Sequence, residues 1–444
     1  MLTEELVFQA SDSRAAVVRN GSPTWVEARQ LAFDCARPLP PASLPLADAA
    51  GRVLTRDVTA LQDLPHYASS AMDGWAVNGP GPWLLPEDNP SPQHATLPAD
   101  QVLLPNRARV IATGGLVPDG AGAVLRKESG QVSTDAAGRH VLTLRPDARQ
   151  GEPHPGQHIR PAGEEARAGN VLLPAGTVLN PAHLALAAVA GHDEVLVRAR
   201  PAVAVVLTGA EVVTHGVPAP GQVRDTFGPQ LGTVVGQLGG TAGPPVRIGD
   251  SFSEWLAALA DRAAPVGERP DVIITTGGTG KSGTDHFRAA IAALGGELLL
   301  DGIAMRPGHP AVLAGLPDGR FVVGLPGNPL AAMMALLTIG APLLAALGNR
   351  QLRPLDQVLS GSDIEPDAGR TRLIPCRFLS GLAFPLQHTG PGMMRGLAWA
   401  DGVMAVPPCG VQSGEPVPVL PLPWTQPGET IDSTNSQGYT PWPV

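Results

Sequence analysis

Three turns in the 444-residue sequence carry residue types that handle phosphorylated ligands, and each closes an apolar run. Thr208-Gly209-Ala210-Glu211 follows VAVVL. Gly277-Gly278-Thr279-Gly280-Lys281-Ser282-Gly283-Thr284-Asp285 follows VIITT, and Leu325-Pro326-Gly327-Asn328-Pro329 ends a third run at 320–325. Glycines let backbone N–H groups approach an anion closely, while Glu211 and Asp285 add carboxylates suited to a divalent cation. Together they point to a phosphate-bearing ligand with Mg²⁺. The competing chemistry for Gly280-Lys281-Ser282 is a nucleotide-binding P-loop, but that loop requires glycine where Thr275 stands. A Gly-Gly turn between strand and helix also needs no ligand to account for it. Met305-Arg306-Pro307-Gly308-His309-Pro310 is a second unusual cluster, in which two prolines hold Arg306 and His309 in a short rigid loop suited to an oxyanion. Its plain alternative is a proline-rich turn with two solvated side chains. Asp73-Gly74 and Glu164-Glu165 read, on their own, as acidic turns.

Loops of this kind form a site when strands and helices bring them to one edge. From residue 181 apolar strands alternate with amphipathic helices, the pattern of a parallel sheet covered on both faces, whose ligands bind outside the carboxyl ends of the strands. Residues 203–209 and 271–278 read as buried strands. Ser251 and Glu254 form a capping box ahead of an apolar helix face. Residues 284–294 read as the next helix, begun by Thr284 or Asp285 and ended by Gly295-Gly296. Upstream, a helical stretch at 24–36 gives way to proline-rich sequence and short strands up to about residue 180. After 348 short strands return between Gly/Pro turns as a small β domain, and the last 22 residues read as a flexible polar tail. Residues 330–348 are uncharged for 19 residues, long enough to test as a membrane span. Gly340 and Pro342 interrupt the run and no second span or basic flank supports it, so a helix buried in a core or subunit interface is expected.

Composition limits the remaining classes. A chain of 45.7 kDa with 43% hydrophobic and 16% charged residues is globular and has room for several domains, and 53 Gly with 48 Pro imply many bounded elements. Aromatics at 4% and a net charge of −9 leave neither the stacking platform nor the basic footprint of a nucleic-acid binder. Cys35, Cys376 and Cys409 lie far apart with no C-x-x-C pair, which predicts reduced thiols and a cytoplasmic protein. The N-terminus lacks the basic and apolar regions of a signal peptide.

Six segments, in order and spacing, resemble the molybdopterin molybdenumtransferases, the MoeA family that includes the E domain of gephyrin. They are LPHYASSAMDGWAV (64–77), TGGLVPDGAGAVLRKE (113–128), GQHIRPAGEEARAG (156–169), TTGGTGKSGTD (275–285), MRPGHP (305–310) and LPGNP (325–329). The resemblance implies a multidomain α/β plus β chain. Its parts would be an N-terminal extension (1–23), a segmented linker domain (24–56 and 156–180), an inserted β lobe (57–155), a three-layer α/β molybdopterin-binding domain with a parallel-type sheet (181–348), a C-terminal β barrel (349–422) and a tail (423–444). It implies a homodimer whose cleft joins the α/β domain of one subunit to the β lobe of the other, and contact with the molybdopterin adenylyltransferase. The reaction implied is Mg²⁺-assisted insertion of molybdate into the dithiolene of adenylated molybdopterin with release of AMP. The pterin itself supplies the soft thiolates, so no protein Cys cluster is needed.

Carried over by position, Asp73, Glu165, Glu211, Asp271 and Asp285 match the family's acidic site residues, with Asp285, Glu211 and Asp271 on the metal. Gly277, Gly278, Thr279, Gly280, Lys281 and Ser282 would cradle pterin and phosphate, together with Asp225, Pro326, Gly327 and Asn328. Arg306 and His309, flanked by Pro307 and Pro310, match two lysines that attract molybdate. The loop Gly277-Gly278-Thr279-Gly280-Lys281-Ser282 is closer to that of the related molybdopterin adenylyltransferases than to the family's own, and three further positions depart from the family. Phe227 replaces an amide, Gly122 replaces an acidic residue, and His309 replaces a lysine, which makes anion attraction pH-dependent. Lys281 is the candidate for the missing permanent charge. A carrier protein weakened in catalysis is the alternative these departures leave open.

Overall fold

The computed structural model describes residues 21–87, 102–260, 269–280 and 286–425. Lys281, Ser282 and Asp285, the N-terminal 20 residues and nearly all of the expected tail lie outside the described residues. The chain forms two compact units, Pro41–Val197 and the combination of Met1–Pro40 with Arg198–Val444.

In the first unit the Gly74–Val77 strand is the centre of a three-stranded antiparallel sheet, between Ala108–Ile111 and Ala123–Arg126. A second sheet pairs Trp83–Leu84, His140–Leu144 and Gly130–Thr134. Trp75, Trp83, Val110, Leu125 and Leu142 fill the core of this lobe. Segments from either side of it pair with one another: Ser69–Ser70 with Ile159–Arg160, and Val58–Thr59 with Val171–Leu173. The Pro181–Val189 helix, capped by Asn180, adds Ala187 to the cluster of Leu54, Val58, Leu173, Val195 and Val197. It therefore groups with this unit rather than with the parallel sheet, where the sequence pattern placed it.

In the second unit, Ala202–Leu207, Val272–Thr276 and Phe321–Leu325 lie side by side in parallel, followed by antiparallel Val312–Gly315 and Glu297–Asp301. Alternation along each parallel strand feeds two cores. Val203, Val205, Leu207, Ile274 and Val323 face the Gly228–Gln237 and Pro329–Leu347 helices, while Val206, Ile273 and Val322 face Trp255 and Phe287 of the Phe252–Ala260 and Phe287–Ala293 helices. The Ser251 cap and the Gly295-Gly296 stop are present, whereas the expected start at Thr284 or Asp285 lies outside the described residues and the helix is described from Phe287. Glu254 N–H donates to Ser251 Oγ at 3.3 Å, and Gly295 (φ 72°) and Gly296 donate to the Ala292 and Ile291 carbonyls to close the Phe287–Ala293 helix. The strands Asp356–Ser360, Thr371–Leu379, Leu382–Pro385, Gly402–Val406 and Pro416–Pro421 close on themselves as a five-stranded barrel, joined to the sheet through pairing of Met305–Arg306 with Thr371 and Arg372.

The 19-residue helix Pro329–Leu347 is buried over almost all of its length, a core element of this unit. This is the buried core helix expected from the sequence, and it continues through Gly340 and Pro342. The turn Leu336–Gly340 widens to the five-residue hydrogen-bond spacing, with Ala341 N–H donating to the Leu336 carbonyl. Pro342 has no N–H to continue that pattern, and Arg29 Nη1 donates to the orphaned Leu337 carbonyl at 3.3 Å. Arg29 sits on the Trp25–Asp34 helix, 5.2 Å from the Trp25 ring, and Trp25 Nε1 donates to Thr338 Oγ1 at 2.9 Å. Burial pushes the Arg29 guanidinium down to about 10, still charged at neutral pH. Arg29→Met keeps the stem and removes the donor; it is expected to destabilise this unit by about 1–3 kcal/mol, read as a lower urea midpoint. An unchanged midpoint would mean the Leu337 carbonyl needs no partner.

Candidate functional site

Leu207, Thr276 and Leu325 stand in register at the ends of the three parallel strands. At about 4.8 Å per strand their loops start within roughly 10 Å of one another. The contacts between them are short. Thr208 Oγ1 donates to the Thr276 carbonyl at 2.5 Å, Gly277 N–H donates to the Leu325 carbonyl at 2.9 Å, and a Cβ on Gly327 would lie 3.8 Å from the Gly277 Cα. Gly277 and Gly278 adopt φ of 76° and 66°, and a Cβ on Gly278 would meet the Trp255 ring at 2.5 Å. Packing alone thus demands both glycines. Thr279 is buried, its methyl group against Gly324, so it anchors the loop. Arg288 clamps the loop beyond Gly278, donating from Nη1 to the Thr279 carbonyl at 3.0 Å and the Gly280 carbonyl at 2.6 Å, and from Nε to Asp301 Oδ1 at 3.0 Å. Glu211 folds its carboxylate back over Gly209 and makes no ion pair among the described residues. Thr275, where a P-loop would need glycine, is an interior strand residue.

Several expected ligand groups turn out to serve the protein. Asp271 is a correction. It precedes the Val272–Thr276 strand, about 17 Å from the glycine loop at 3.3 Å per residue, and its Oδ2 accepts from Ala202 N–H at 2.8 Å. It cannot share a metal with Glu211, and among the described residues no group of three or more His, Cys, Asp or Glu is arranged to hold a metal ion. Asp225 caps the Gly228–Gln237 helix, accepting from Phe227 N–H at 3.0 Å and Gly228 N–H at 3.1 Å, and pairs with Arg247. Burial raises its carboxyl, but these partners outweigh it and leave it lowered. Phe227, in place of the amide, packs against the core. Pro326, Gly327 and Asn328 border Gly277, yet the helix they open is already plugged: Leu330 and Ala331 N–H donate to the Pro391 carbonyl at 3.0 and 3.1 Å.

In the 305–310 cluster Arg306 is exposed, 3.4 Å from Asp367, and beside Arg372 across the strand pair. His309 Nδ1–H donates to the Ile303 carbonyl at 2.7 Å, which leaves Nε2 as its outward atom. Gly308 (φ 110°) fits against Met305 and the Ala331 carbonyl, while Pro307 is buried and Pro310 exposed.

In the lobe unit, Asp73 Oδ1 accepts from Thr113 N–H at 2.7 Å and from Thr113 Oγ1 at 2.8 Å. These bonds, with the Lys127 charge nearby, hold its carboxyl below the usual value. Gly74 must be glycine, because a Cβ there would lie 2.0 Å from the Leu125 carbonyl oxygen. Gly122 is open: a Cβ would have only the Val77 carbonyl within reach, at 4.0 Å. Glu165 is an exposed turn residue tied through its N–H to the Leu64 carbonyl. The sequence reading missed Asp250, which follows the Val246–Arg247 strand at the same carboxyl edge, where Ile248 N–H donates to the Leu207 carbonyl at 3.0 Å. The strand is two residues long, too short for any periodicity to mark it.

Sequence profiles match in the same order as these parts. The MoeA N-terminal region (domain I and II) matches residues 24–191, the probable molybdopterin binding domain matches 204–346, and the MoeA C-terminal region (domain IV) matches 357–422. A molybdopterin molybdenumtransferase 2 of Mycobacterium tuberculosis is 31% identical over 86% of this chain and 94% of its own length. A molybdopterin molybdenumtransferase of Nostoc is 30% identical over 84% and 87%. The crystal structure of a molybdopterin biosynthesis MoeA protein from Pyrococcus horikosii superimposes with a TM-score of 0.69 over 90% of this chain and 99% of that one, at 24% identity, a likeness of fold. The chain belongs to the molybdopterin molybdenumtransferase family, the MoeA proteins.

Thr113→Val removes the hydroxyl donor to Asp73 and keeps the N–H; the Asp73 carboxyl should then titrate closer to its ordinary value, as followed by carboxyl ¹³C NMR. Burial pushes the Asp271 carboxyl up, so in the folded chain its ionised form is the disfavoured one. Its contribution to stability therefore improves as pH falls through the raised folded value and is lost at neutral pH. Asp271→Asn should remove that part of the pH dependence in denaturation curves and retain turnover; lost turnover would return Asp271 to the site.

Proposed function

We propose that this chain inserts molybdate into the dithiolene of adenylated molybdopterin, with Mg²⁺ and with release of AMP. The observation that carries the reading is the register of three glycine-bearing loops on one sheet edge, in a chain that matches the family along nearly its whole length. Two dithiolene sulfurs take the places of molybdate oxygens, which leave as water, while water cleaves the phosphoanhydride and AMP departs. Gly277, Gly278, Thr279 and Gly280, with Lys281 and Ser282, line the phosphate path. Arg306 and His309 attract molybdate, and local cations are needed because the net charge of −9 repels it.

Mg²⁺ is an oxygen-seeking cation, and the Glu211 carboxylate beside Gly209, which has no ion pair among the described residues, suits it. Glu211 and Asp285 would hold it, with Asp250 as a further edge carboxylate, and the ion would neutralise phosphate charge. Asp73 orients water or phosphate, and Glu165 supports the same side. The working form is a cytoplasmic homodimer in which the lobe of one copy completes the sheet-edge site of the other. The molybdopterin adenylyltransferase is the natural donor of substrate.

Single-turnover reaction with adenylated molybdopterin, Mg²⁺ and molybdate tests this directly. Molybdate-dependent AMP release is expected from the wild type, and none from Asp73→Asn or Asp285→Asn alone. Mixing those two inactive variants should restore part of the turnover, because a mixed dimer regains one intact site. Tight binding without AMP release would instead make the chain a carrier, and restored Gly122→Asp and His309→Lys variants would be the first to examine.

A further inference from the structure

Asp73 is tethered by backbone hydrogen bonds on both sides, and both tethers lead to one buried carboxylate. On one side Lys127 N–H donates to the Asp73 carbonyl at 2.9 Å, and Lys127 opens the turn Lys127–Ser129 directly after Arg126. On the other, Ala71 N–H donates to the His158 carbonyl at 2.8 Å, next to Gln157, whose own carbonyl accepts from Val124 N–H at 2.9 Å. Glu152 lies where these segments meet, its side chain only 5% exposed. It accepts from Ser129 Oγ, from Arg126 Nε at 3.1 Å and from Gln157 Nε2 at 3.3 Å. Arg126 Nε also donates to Ser129 Oγ at 3.0 Å, closing the triangle. Burial raises the Glu152 carboxyl, yet Ser129, Arg126 and Gln157 outweigh it and leave it lowered, so it is ionised at neutral pH.

A buried ion pair is weak evidence of stability, since apolar residues of similar volume often do as well. What it specifies here is geometry. Gly74 pairs in the sheet with Ile111 and Arg126 but offers no side chain to fix the turn, so ahead of the strand the placement of Asp73 is set by Thr113 and by these two tethers.

We propose that Glu152 is a positioning residue for Asp73: it ties the 126–129 corner to the 152–158 segment and so holds both backbone tethers of the Asp73 turn in one arrangement. The inference rests on the reading of Asp73 as a site carboxylate given above.

The test uses the full chain with Glu152→Gln, and Ser129→Ala as a milder variant that decides the matter should the first fail to fold. Hydrogen exchange is expected to quicken about ten-fold or more at the Ala71 and Lys127 amides, with Leu142 in the neighbouring sheet unchanged. In single turnover, kcat should fall about ten-fold or more while KM for adenylated molybdopterin holds. Unchanged exchange at both amides overturns the proposal, and so does faster exchange there with turnover unchanged. A wild type without turnover would sink the proposed function, while the exchange measurement would still decide whether Glu152 holds the Asp73 turn.

Discussion

A nineteen-residue helix without a charge cannot face water along its length, and the larger unit is arranged around covering Pro329–Leu347. Strand side chains Leu207, Ile274 and Val323 cover one side, the Trp25–Asp34 helix another, and barrel residues Leu373, Val403 and Leu420 join the same core. Burial leaves that helix with polar groups needing partners, and these come from distant sequence: Pro391 for its first N–H groups, Arg29 for the Leu337 carbonyl, Trp25 for Thr338. The same bonds set where the Leu325–Pro329 turn emerges, and hence one wall of the candidate site. The dry helix and the ligand edge are one construction.

The glycine loops obey a second constraint, close approach. Gly278 lies on Trp255, Gly277 on Thr208, Gly308 on the buried helix and Gly74 on the Leu125 carbonyl. Each glycine has a packing reason that holds with no ligand present, so glycine content alone carries little about function. The distinction lies in what the packing leaves free. Arg288 consumes the Thr279 and Gly280 carbonyls and Pro391 the first N–H groups of the buried helix, whereas the Glu211 carboxylate is left without an ion pair among the described residues.

Much of this was legible in the sequence. The two-sided apolar strands, the Ser251–Glu254 cap, the Gly295-Gly296 stop and the common edge of three loops come from period and turn chemistry, which act over a few residues. The misreadings share a cause, in that they concern partners brought in from elsewhere. Asp271 stands six residues before Gly277 in sequence, but an extended strand carries it to the opposite end of the sheet. Asp225 caps a helix and pairs with Arg247, a partner that nothing nearby in sequence discloses. The buried helix itself was expected, but its partner Arg29, 313 positions before Pro342, is invisible to local reasoning. Glu152, in a proline-rich loop, carries no local sign that Arg126 and Ser129 will bury it.

Under the proposed function the chain must also avoid competing for the metal it delivers. A thiolate binds molybdenum strongly, but only once deprotonated. Burial pushes the Cys376 thiol up to about 12 inside the barrel and the Cys35 thiol up to about 11, so both stay protonated at neutral pH. Cys409 is exposed, with its Sγ turned to the Gly410 carbonyl, and among the described residues it belongs to no group of three or more His, Cys, Asp or Glu arranged to hold a metal ion. The dithiolene of the substrate, two sulfurs held at chelating distance, then has the advantage by construction.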